Sequence, residues 1–163
     1  MGRSIALRTA VFTLVVPGTV AGVVPALLVR GAPSLPPAEG WPFARLVLGL
    51  PLVLAGLLLY AWCVWAFGRL GRGTPAPIDP PRVLVSRGPY AWSRNPMYVG
   101  VLAVILGQAA LFASPRLLAY AAAVFLGFHL FTVLYEEPAH RRRFGAAFDE
   151  YCRRVPRWIP RGG

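Results

Sequence analysis

The chain has 163 residues, enough for one domain, and 56% of them are hydrophobic, yet its formal net charge is +11. With a mean hydropathy of +0.56, that combination argues against an ordinary soluble domain and points to an integral membrane protein. All 17 basic residues are Arg, and they flank apolar runs without any nucleic-acid reading motif, so topology accounts for the charge and no nucleic-acid partner is expected.

The first apolar run spans about Thr9 to Val29 and contains Pro17 and Pro25, which predicts a bent but retained membrane helix. Arg3 and Arg8 before it imitate a signal peptide, but the run is long and further spans follow. The second run, about Leu46 to Phe67, ends in Tyr60, Trp62, Trp65 and Phe67, rings suited to a membrane–water interface. The third, about Tyr98 to Ala113, reaches only roughly 24 Å as a helix. That is short of a hydrocarbon core of about 30 Å, so it must begin or end in the interface or be shielded by protein. Ser114-Pro115-Arg116 then turns the chain into a fourth run, Leu117 to Tyr135, long enough to span.

Four spans put both termini on one side. Fourteen Arg lie on the side of the termini and the loop between spans two and three, against three (Arg30, Arg45, Arg116) on the other, which assigns that majority side to the cytoplasm. In the tail, Phe144, Ala147, Phe148, Tyr151 and Val155 form one apolar helical face ending at Pro156, able to lie on the membrane or close over a cytoplasmic pocket. The expected fold is an all-α integral membrane protein, one domain over 1–163, with about four transmembrane helices and a C-terminal amphipathic cytoplasmic helix. Cys63 and Cys152 make neither a metal-spaced set nor a disulfide framework, and no metal is expected.

Polar groups inside membrane spans are costly and therefore informative. His129, Thr132 and Glu136 share one helical face that climbs the fourth span toward its cytoplasmic end, and Gln108 on the third span is placed to face it. For His129 and Gln108 the simpler reading is helix–helix glue. Glu136 and Glu137 are adjacent and point about 100° apart, so they cannot share one task. Glu136 is assigned inward, on the polar stripe, and Glu137 to a pair with Arg141 or with the loop.

The segment "RGPYAWSRNPMYVG", Arg87 to Gly100, joins spans two and three. Gly88-Pro89 makes a turn, Tyr90 and Trp92 offer flat faces, and Pro96 opens the third helix with its first-turn N–H groups free. Gly100 permits a close approach. These features predict a pocket for a polar ligand carrying a flat ring; an interfacial aromatic belt anchored by Arg is the alternative.

"LVSRGPYAWSRNPMYVG" followed by "EEPAHRRRFGAAFDEYCRRVP" resembles the isoprenylcysteine carboxyl methyltransferase and phospholipid methyltransferase group, small multi-span enzymes that use S-adenosylmethionine. The group's pattern is G-x-Y, then R-H-P-x-Y-x-G, then E-E, then F-G-x-x-Y-x-x-Y and V-P. The likeness covers about Arg82 to Pro156, half of the chain, with a catalytic part over 82–156, and the first two spans carry no signature. It implies that the cofactor is held by Arg82, Val83, Leu84, Val85, Tyr90, Asn95, Pro96, Met97, Tyr98 and Glu136. It also makes Glu136, Asn95 and Arg94 the catalytic candidates.

The chain departs from the pattern at Asn95, where His is usual, at His140, where Leu is common, and at Phe148, where Tyr is common. Thr132 stands where prenylcysteine enzymes carry a substrate-binding arginine. The implied reaction is methyl transfer to a lipophilic acceptor, an isoprenylcysteine-like carboxylate or a phospholipid amine, with membrane lipids as surroundings. Two other readings stay open: a membrane reductase of the sterol-reductase type using NADPH, and a non-enzymatic basic protein that binds anionic lipid.

Overall fold

The computed structural model describes residues 3–30, 41–71 and 83–159, and these are helical with no strand among them. α1 (Arg3–Gly18) runs through a π-turn (Thr19–Val23) into α2 (Val24–Val29). α3 (Trp41–Ala66) ends in a second π-turn (Phe67–Gly71). An extended stretch and a 3-10 turn (Gly88–Ala91) lead to α4 (Pro96–Leu111). α5 (Pro115–Phe131), a third π-turn (Thr132–Glu136) and α6 (Glu137–Phe144) follow, and α7 (Ala146–Arg154) closes the chain.

Among the described residues, three helical stretches are long and apolar enough to cross a membrane: Val11–Val29, Phe43–Arg69 and Pro115–Phe144. Many of their apolar side chains face outward, as lipid-facing residues do; Leu14 and Leu58, for example, are more than two thirds exposed. α4 is the short one and is shielded by protein. Gly100, Val101, Val104, Ile105, Gly107 and Ala109 are all buried along it.

Glycine explains how tightly α3 and α4 pack. A Cβ on Gly56 would lie 2.6 Å from the Gly100 carbonyl oxygen, and one on Gly107 would lie 2.8 Å from that of Gly49. Each helix places two glycines seven residues apart, and the antiparallel match brings the backbones together where lipid offers no hydrophobic drive. Gly100 therefore admits the backbone of α3, not a ligand as its place in the loop motif suggested. Between α4 and α5, Ala113 takes a positive φ of 42° and the Ser114 hydroxyl accepts from the Leu117 N–H, making the tight hairpin that Ser114-Pro115-Arg116 foretold.

Two of the π-turns have a visible cause. Each ends two residues before a proline, Pro25 or Pro138, whose ring cannot donate to the carbonyl four residues back and crowds it. In the first, the Val24 N–H reaches back to the Thr19 carbonyl, so the Val20 carbonyl loses its donor, and Pro25 deprives Ala21 in the same way. Side chains from the neighbouring helices replace both donors: Tyr120 Oη donates to Val20 O at 2.9 Å and Gln108 Nε2 to Ala21 O at 2.7 Å. Gln108 is thus glue, as expected, but it binds the bent first helix and not the polar stripe of the fourth span.

Candidate active site

The ends of α3 to α7 converge around a cavity of about 520 Å³, within the range of small-ligand pockets. Its polar lining is Arg94, Asn95, Tyr98, Thr132, Glu136, Glu137 and His140. Its apolar lining includes Phe12, Val16 and Val20 from the first helical stretch, with Val101, Phe128 and Phe131.

Glu136 is the last residue of the third π-turn. Tyr98 Oη donates to its Oε1 at 2.8 Å, and the buried Thr132 hydroxyl donates to Oε2 at 3.2 Å. Tyr98 is itself fixed by stacking on Phe128, with ring centroids 4.3 Å apart and planes 17° apart. Among the described residues no cation pairs with Glu136, so its charge is left to face the cavity.

Glu137 is held the opposite way. Its side chain is 12% exposed, and it accepts from Arg94 Nη1 at 2.9 Å, Arg157 Nε at 2.7 Å and Arg157 Nη2 at 3.0 Å. The expected split between the two glutamates therefore holds, with Glu137 tied to the loop through Arg94. Arg141 is not its hydrogen-bonded partner: it pairs with Asp149 at 2.8 Å.

The C-terminal segment is strapped onto the start of α4. The Arg94 N–H donates to Pro156 O at 2.9 Å, while Ser93 Oγ and Asn95 Nδ2 both donate to Arg157 O at 3.1 and 3.0 Å. Tyr151 Oη donates to the Tyr90 carbonyl at 2.7 Å, and Trp158 Nε1 donates to His129 Nδ1 at 3.2 Å. Phe148, Tyr151 and Val155 bury their face against Leu84 and Phe144, so the amphipathic tail covers the pocket. A positive φ of 53° at Gly145 breaks that tail into α6 and α7 and lets it fold back. Burial keeps the phenols of Tyr90 and Tyr151 above their ordinary range, which makes them donors and not bases.

Of the residues proposed for the cofactor, Leu84, Val85, Tyr90, Asn95, Met97, Tyr98 and Glu136 line this cavity, as does Arg94. Val83 is half exposed and Pro96 is buried in the first turn of α4; neither lines it. Arg82 lies outside the described residues. Trp92 does not join Tyr90 at the pocket: it is mostly exposed and meets Trp62 edge to face, centroids 5.5 Å apart. Arg94 and Asn95 contribute backbone and side-chain ties as well as lining. Arg157 and Trp158 went unnoticed in the sequence, where they read as a basic tail, and so did the wall supplied by the first helix, which has no motif.

No curated protein and no solved structure matches the chain. The family model for phospholipid methyltransferase does match, over residues 44–147, which takes in most of α3, all of α4 to α6, the polar stripe and both glutamates. That match covers well over half of the 163 residues, and with helices suited to a bilayer it makes this chain a membrane methyltransferase of the phospholipid methyltransferase family.

Proposed function

We propose that the protein transfers a methyl group from S-adenosylmethionine to a lipophilic acceptor, with the donor against the polar lining of the cavity and the acceptor's apolar part against its apolar lining. The observation that carries this reading is Glu136: a partly buried carboxylate, ordered by two hydroxyl donors and balanced by no cation among the described residues. Such a site attracts a positive ligand strongly because the local dielectric is low. When bound, S-adenosylmethionine supplies an electrophilic methyl on a sulfonium centre. The residues present fit it: Glu136 opposite the positive charge, the ring of Tyr90 and the side chains of Leu84, Val85 and Met97 along its body, and α7 above to exclude water. Asn95 serves this site by holding the C-terminal strap through the Arg157 carbonyl.

An isoprenylcysteine-like carboxylate has less support than a phospholipid amine or another lipophilic acceptor. Arg94 and Arg157 are both engaged with Glu137, and the Thr132 hydroxyl is spent on Glu136. The Arg distribution supports a cytoplasmic cofactor side with both termini there. The test is calorimetric titration of the purified protein with S-adenosylmethionine, S-adenosylhomocysteine and NADPH. Binding of the sulfur ligands and not NADPH is expected, and Glu136→Gln should weaken the S-adenosylmethionine affinity at least several-fold. Binding of NADPH alone would replace this reading with the reductase one.

A further inference from the structure

We propose that His140 is the proton acceptor for the methyl acceptor, taking the proton from an N–H or S–H group as the new bond to carbon forms. The proposal rests on the methyl-transfer reading above. His140 stands four residues after Glu136 and lines the same cavity. Its ring is partly buried and wedged beside Phe144 and Phe148, centroids 5.9 and 5.4 Å away, which fixes its plane. Neither ring nitrogen has a hydrogen-bond partner among the described residues.

The other titratable groups of the cavity are committed. Glu137 is clamped by two guanidinium groups, Glu136 is set against the methyl donor's positive charge, Tyr60 and Tyr98 share hydrogen bonds with Thr13 and Glu136, and Tyr90 and Tyr151 are buried phenols that stay protonated. His129, the chain's other histidine, lends its Nδ1 to Trp158. That leaves one imidazole on the cavity wall free to accept a proton at neutral pH.

The step balances. The acceptor's N–H or S–H bond breaks, its electron pair enters the bond to the methyl carbon, and the C–S bond pair stays on sulfur as the sulfonium becomes a neutral thioether. The positive charge leaves as the proton on His140. The charged groups that act on that imidazole are Glu137 and Arg143, and Glu136 and Arg94 line the same cavity, so the field it feels is mixed in sign.

The experiment uses the full chain in lipid nanodiscs, labelled S-adenosylmethionine and total membrane lipid extract as acceptor, over pH 5.5–9. Ring NMR of the wild type runs alongside, with His129→Gln and His140→Gln assigning the two histidine signals. His140→Gln is expected to lower transfer at neutral pH by about 10²–10⁴-fold and to abolish the acid limb of the wild-type profile. Its affinity for S-adenosylhomocysteine should stay within about threefold, as for a base outside the cofactor's own contacts. In the wild type, the His140 signal should titrate across that range and shift when S-adenosylhomocysteine is added. An unchanged pH profile in His140→Gln, or a non-titrating His140 ring, overturns the proposal. So does loss of S-adenosylhomocysteine binding with the profile intact, which would make His140 a cofactor contact. Failure of the wild type to bind S-adenosylhomocysteine would instead overturn the methyl-transfer reading, and this proposal with it.

Discussion

Replacing Glu137 by Gln should unlock the C-terminal strap. The substitution keeps the shape but removes the charge that two arginines share. Glu137 accepts three hydrogen bonds at 2.7–3.0 Å, with side-chain exposures of 12% at Glu137, 14% at Arg94 and 31% at Arg157. Breaking a buried pair from one side costs about 3–5 kcal/mol, because the remaining charge is stranded. Arg157 can turn partly to water, whereas Arg94 is more enclosed and its Nε already lacks a partner. The loss should therefore fall near the lower bound, about 3 kcal/mol. At roughly 2–4 °C per kcal/mol for a chain of this size, the melting temperature in detergent should drop by about 6–12 °C. Intrinsic fluorescence includes a local reporter, Trp158, which donates to His129 only while the strap is closed. A double-mutant cycle of Glu137→Gln with Arg157→Gln should give a coupling well above 0.5 kcal/mol, as for residues in one network. A melting temperature within 1 °C of wild type, or additive effects in the cycle, would refute the strap as a stabilising element.

Further outcomes follow from the same structure. Gln108→Leu should cost about 1–3 kcal/mol by stranding the Ala21 carbonyl, and Pro25→Ala in the same chain should recover part of it by restoring a main-chain donor; chemical unfolding of the two variants beside the wild type checks this. Gly56→Val should lower thermal stability sharply or abolish folding, since even its Cβ would lie 2.6 Å from the Gly100 carbonyl oxygen. Gly127→Ala, with open space at its Cβ, should be neutral or stabilise by about 0.4–1 kcal/mol through a less flexible unfolded chain. Equal melting temperatures for the Gly56 and Gly127 variants would count against the glycine seam.

Composition and period were enough to determine the membrane class, the long apolar helices, the hairpin at Ser114 and the amphipathic tail, because all of these depend on neighbours within a few turns. The separation of Glu136, on the polar stripe, from Glu137, tied to the loop, was also legible, since adjacent residues on a helix must diverge. Other features depended on partners distant in sequence, and no local pattern carries those. Gly100 looked like a loop feature but its constraint comes from Gly56, and Trp92 looked like part of the pocket until Trp62 claimed it. Asn95 looked like a replaced catalytic residue, whereas its amide reaches a carbonyl 62 positions away. The strap itself was decided only in three dimensions. A guanidinium such as that of Arg157 is indifferent to sequence spacing, and it settles where a buried carboxylate would otherwise remain unpaired.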